Sequence, residues 1–131
     1  MTGLDTNVLV RYIMQDDAQQ SNLASSLIES LTVEAAGFVL QVAFIELVWV
    51  LSSCYDLERA QMVAAMEALL RTKEVVVEGA EVIWRAVRIY RDSSADFADC
   101  LIERSAAAAG CARTMTFNRG AAKSCSMILI Q

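Results

Sequence analysis

Apolar residues return along this chain in two rhythms. A spacing of three or four residues marks helices, and short β-branched runs mark strands. Met62, Val63, Met66, Leu69 and Leu70 keep the helical spacing through Leu57 to Thr72, a helix that Asp56 is placed to cap. Val82, Ile83, Ala86, Val87 and Tyr90 do the same through Ala80 to Arg91. Val42 to Tyr55 is apolar nearly throughout and reads as helix by its length. Asp17 can cap a helix from Ala18 to Leu31; Ser94 can cap one from Ala95 to Ala109, which Gly110 ends. Shorter helices are predicted at Val8–Met14 and Arg119–Lys123. The strand candidates are Leu4 to about Asp5, Gly37–Leu40, Val75–Val77, Arg113–Phe117 and Met127–Ile130.

Strands alternating with helices predict an α/β fold around a parallel sheet. Its strands are short and apolar, as expected when helices cover both faces. The 131 residues predict a single domain spanning 1–131, with no repeat and no linker. In sheets of this kind functional groups gather at the carboxyl ends of the strands.

Composition narrows the chemistry. The chain has no histidine, which excludes a Ser-His-Asp triad, a Cys-His pair and a histidine base. A net charge of −5 runs against a general nucleic-acid binder, so any basic grip must be local or supplied by a partner. The longest apolar stretch, Phe38 to Leu51, is broken by Gln41 and Glu46 and falls short of the roughly 20 residues of a membrane span. No signal peptide is expected. The four cysteines form no CxxC and read as reduced thiols of a cytoplasmic protein.

The carboxylates are then the candidates. Asp5, in GLDTN, falls where the first strand gives way to a helix, so it can cap, ligate a metal, or both. Glu46, in VAFIELVWVL, has Val42, Ala43, Trp49 and Val50 as its helical neighbours, which predicts that it shares a face with the core. Such a carboxylate needs an ion pair, a path to the core's rim, or a cation. Asp96 and Asp99 lie three apart in SSADFADCLI. The helix dipole accounts for Asp96 better than for Asp99. Asn118 follows RTMTF at a strand end, where a simple N-cap is the alternative to a ligand. Oxygen donors without histidine or cysteine suit Mg²⁺ or Mn²⁺ rather than zinc.

LDTNVLVRYI, FIELVWVL, ADFADCLI and TMTFN, in that order, resemble the PIN domain family, nearest to the VapC-type toxins of type II toxin–antitoxin modules. The resemblance implies a three-layer α/β/α fold with a short-stranded, mostly parallel central sheet. It implies a ribonuclease dependent on Mg²⁺ or Mn²⁺, leaving 5′-phosphate and 3′-hydroxyl ends. Asp5, Glu46 and Asp99 match the family's metal-binding acids, Asp96 an auxiliary acid, Thr6 and Asn7 a polar pair beside the first acid, and Thr116 a threonine near the last strand's end. Asn118 departs from the pattern: the family usually has aspartate there. An amide coordinates through its carbonyl oxygen but brings no charge.

Arg11, Arg85, Arg88 and Arg119 are the foremost candidates to grip RNA, with Arg91 and Lys123 beside them. Arg85, Arg88 and Arg91 form a loose stripe that could equally be a solvated face paired with Glu81 and Asp92. A homodimer and a VapB-like antitoxin are the implied partners. The competing expectation is a PIN-like domain that no longer cuts and binds protein or RNA; Asn118 is its support.

Overall fold

The computed structural model describes all residues, Met1–Gln131. They form two compact units, residues 1–78 and 79–131.

The first unit runs β1 (Thr2–Gly3), α1 (Thr6–Met14), α2 (Ala18–Glu29), β2 (Gly37–Val39), α3 (Gln41–Ser53), α4 (Arg59–Leu70) and β3 (Val75–Val77). Its three strands pair in the order β1-β2-β3, all parallel, with Thr2 opposite Gly37 and Gly37 opposite Val75. The Leu4 N–H donates to the Phe38 carbonyl at 2.9 Å, so pairing reaches the residue before Asp5. Gly37 is buried where a Cβ would come within 2.8 Å of Leu4 Cδ1 and 2.9 Å of Leu31 Cδ1. A side chain here would make those two leucines shift, so glycine lets them close over β2 without rearrangement. Helix α1 packs on α2 and α3, and α4 packs on α3 and β3. Leu9, Val39, Phe44, Leu47, Leu51, Met62 and Met66 are fully buried.

The second unit runs α5 (Ala80–Arg91), α6 (Phe97–Ala108), β4 (Met115–Thr116), α7 (Arg119–Ser124) and β5 (Ile128–Leu129). Strands β4 and β5 are parallel, with Met115 opposite Ile128. Helices α5 and α6 pack together, and Tyr90 meets Phe97 edge to face, ring centroids 5.9 Å apart. Parallel pairing is as predicted, but it is divided between two ladders, one in each unit.

Two predicted caps give way to neighbours. Asp56 does not cap α4: it takes a left-handed backbone, φ 54°, while the Leu57 N–H donates to the Leu51 carbonyl and closes the end of α3. Glu58 becomes the N-cap instead, its N–H donating to Gln61 Oε1 at 2.9 Å. Ser94 does not cap α6, which starts at Phe97 after Asp96. Gly110, at φ 96°, ends that helix as predicted, with the Cys111 N–H reaching the Ala106 carbonyl. No helix is long and apolar enough to cross a membrane.

Candidate functional site

Because β1 and β2 are paired and parallel, their carboxyl ends lie side by side. Each turns at once into a helix, β1 through Asp5 into α1 and β2 through Leu40 into α3. A cavity of about 380 Å³ lies at these turns, lined by Asp5 and Thr6 on one side, Phe38, Leu40 and Val42 on another, and Glu46. This is the strand-end location that the α/β rule predicts.

Asp5 holds the N-cap position of α1, and its carbonyl accepts the first helical bonds from Val8 and Leu9. Its side chain makes no capping bond. Thr6 beside it is buried, 4% exposed. Asn7 faces elsewhere, lining a separate depression with Gln20 and Leu23.

Glu46 corrects an expectation. It lies on the exposed side of α3, not on the core face. The buried face is Phe44, Leu47, Val48 and Leu51, whereas Val42 is 70% and Trp49 62% exposed. Helix α3 is apolar around its whole circumference, so hydrophobic spacing cannot tell which side faces inward. No hydrogen bond or ion pair engages the carboxylate of Asp5 or of Glu46.

Glu78, which sequence reasoning missed, follows β3. Its Oε1 accepts from the Gln41 N–H at 2.9 Å, and its own N–H donates to the Val39 carbonyl at 2.8 Å. The strand-end rule, applied to VVVE as it was to LD, would have found it.

In the second unit, Asp96 holds the N-cap position of α6, exposed and without a side-chain capping bond. Asp99 is half-buried in the first turn. Burial pushes its carboxyl above the ordinary range, and the neighbouring Asp96 charge adds to this. One turn on, Glu103 is buried, 8% exposed, and Arg104 clamps it with bonds of 2.6 and 3.0 Å. Sequence reasoning missed that pair, because adjacency in the chain carries no sign that Glu103 is buried. The Cys100 and Cys125 sulfurs are buried 3.6 Å apart. Burial pushes the Cys125 thiol up, its bond with Cys100 opposes this, and Asp99, Asp96 and Glu103 push it further.

Asn118 is an N-cap: its Oδ1 accepts from the Ala121 N–H at 3.0 Å. Its own N–H donates to Thr116 Oγ1 at 2.9 Å, so Thr116 braces the turn into α7.

The arginines differ. Arg11 is engaged, with Nε donating to Gln20 at 2.7 Å and Nη1 to Asp16 and Tyr55 at 3.2 Å each. Arg91 pairs with Asp92 at 3.5 Å. Arg85, Arg88 and Arg119 are exposed, and none makes an ion pair.

No three or more His, Cys, Asp or Glu side chains form a group able to hold a metal ion. The first unit offers two carboxylates on one cavity. Mg²⁺ keeps several waters and takes one or two carboxylates plus substrate phosphate oxygens, and Asp5 with Glu46 fits that donor set.

An unpaired acid at the end of β1 and another in the second turn of the helix that follows β2, with no imidazole in the chain, define an acidic site at the carboxyl edge of a parallel sheet. The PIN domain family matches residues 4–125, and the chain belongs to that family. This bears out the PIN-like α/β fold class, and the family is a nuclease-type one. Comparisons with curated proteins and with solved structures return no match.

Proposed function

We propose that this chain is a metal-dependent ribonuclease of the VapC toxin type, hydrolysing RNA phosphodiester bonds. The observation that carries the proposal is the cavity at the ends of β1 and β2 that Asp5 and Glu46 both line, neither of them paired. Asp5 and Glu46 would hold Mg²⁺ or Mn²⁺, and the family resemblance gives Asp99 a ligand role as well. When bound, such an ion would supply a water of lowered pKa and polarise a phosphoryl oxygen.

The remaining roles fall to the chain itself. The negative charges of Asp5 and Glu46 on one cavity would repel a phosphate until a cation neutralises them. Thr6 sits buried at the first turn of α1, beside Asp5. Asp96 raises the proton affinity of Asp99, an effect that a cation would reverse. Arg85, Arg88 and Arg119 would draw in the RNA backbone; Arg11 is committed to Asp16 and Tyr55. The exposed Val42 and Trp49 fit a homodimer or a VapB-like antitoxin as partner, in the cytoplasm.

One observation favours a second reading, a PIN-like module that binds protein or RNA without cutting. Asn118 brings no charge, and its Oδ1 already serves α7 as a cap. RNA incubated with purified protein and Mg²⁺, Mn²⁺ or chelator separates the two. Cleavage lost to chelator and to Asp5→Ala supports the ribonuclease; RNA binding without cleavage under every condition supports the module.

A further inference from the structure

We infer that Glu78 is a positioning residue: it holds the N-terminus of α3 and so sets where Glu46 stands relative to Asp5. The inference rests on the metal-dependent nuclease reading above. Leu40 occupies the N-cap position of α3 and makes no side-chain capping bond. A leucine has no oxygen to offer, so the first N–H groups of the helix need another partner. Gln41 is the first residue of α3, and its N–H donates to Glu78 Oε1 at 2.9 Å. The Glu78 backbone N–H donates to Val39, the last residue of β2, at 2.8 Å. One residue of β3's end thus grips both sides of Leu40, the hinge between β2 and α3.

The consequence reaches the cavity. Leu40, Val42, Ala43 and Glu46 all line it, and all belong to the hinge or the first turns of α3. Asp5 stands on a different turn, anchored by the β1–β2 ladder. The Glu46 to Asp5 spacing therefore depends on how α3 leaves β2. Glu78 also places negative charge at the positive end of the α3 dipole, which favours the contact. Glu78 does not line the cavity, so it acts through Glu46.

The test titrates Mn²⁺ into the full chain and follows loss of the free-ion paramagnetic resonance signal. Glu46→Ala, Glu78→Ala, Glu78→Asp and Glu78→Gln are compared with the unchanged protein. Glutamine keeps the acceptor oxygen without the charge; aspartate keeps the charge but withdraws the oxygen. Glu78→Ala and Glu78→Asp are expected to weaken Mn²⁺ binding by about tenfold, the scale typical of outer ligand-orienting partners, while Glu78→Gln stays within about twofold. Full binding by Glu78→Asp overturns the inference, and stands as the measurement if Glu78→Ala does not fold. Equal weakening by Glu78→Gln and Glu78→Ala also overturns it, because charge rather than the bond would then matter. Unchanged Mn²⁺ binding by Glu46→Ala removes the metal-site reading itself, whatever Glu78 does.

Discussion

Asp5, at the turn from β1 into α1, and Glu46, in the second turn of α3, line one cavity, and neither carboxylate has a partner. Neither carboxylate is satisfied by the protein, so both are open to a cation. Asp5→Asn is therefore expected to lower RNA cleavage by on the order of 100-fold or more, the scale of losing one preorganised electrostatic group. The same change should leave thermal stability equal or slightly higher, within about 0.5 kcal/mol. Cleavage assays and a melting curve on the same preparation check both halves; a large loss of stability would mean that Asp5 is structural.

Asn118 separates capping from catalysis. Asn118→Ala removes the bond to the Ala121 N–H and should cost about 1 kcal/mol, read by urea unfolding. Asn118→Asp keeps an accepting oxygen, so stability should hold. It also restores a negative charge at this turn, so cleavage with Mn²⁺ should rise. Unchanged cleavage would show that a charge here does not limit the reaction.

Tyr55 and Asp16 give a pH signature away from the site. The Tyr55 hydroxyl donates to Asp16 Oδ2 at 2.6 Å. This bond holds the Asp16 carboxyl below the ordinary range; burial opposes it, while a backbone bond and Arg11 add to it. A depressed carboxyl contributes stability above its unfolded pKa of about 3.9, and that contribution is lost as pH falls through the folded value. Tyr55→Phe should therefore raise the Asp16 titration midpoint and start acid unfolding at a higher pH. Carbon-detected NMR titration of Asp16 and circular dichroism in acid report the two effects.

The two faces of α3 should respond differently. Leu51 is fully buried, so Leu51→Ala should cost about 2–5 kcal/mol. Trp49 is 62% exposed, and Trp49→Ala should cost far less despite the larger side chain removed. Equal losses in denaturant unfolding would mean that Trp49 is covered in solution.

The elements easiest to read from sequence are those with one decisive pattern. Val75–Val77 and Ala80–Arg91 form with the predicted bounds, the first from three β-branched residues and the second from a sharply two-sided helix. The strand-end position of Asp5 was legible for the same reason. What escaped depends on contacts distant in sequence. Arg11 is a candidate to grip RNA by sequence, but its partner Tyr55 is brought in by the chain just after α3. Glu78 carries no local signal because its acceptor role depends on Gln41, at the exit of the neighbouring strand β2. Glu46 was assigned to the core because an all-apolar helix gives no inward direction. Asp56 and Ser94 are sound capping residues, displaced because the chain ends one helix or begins the next at their neighbours.

Glu46 is the only charged residue in α3, and it stands on the exposed side between Val42 and Trp49. That makes it a solubility element as well as a candidate ligand. When the carboxylate is neutralised, the whole side becomes an uncharged greasy stripe. Divalent cations should then promote self-association of the chain along α3, coupling the loading of the site to assembly through one side chain.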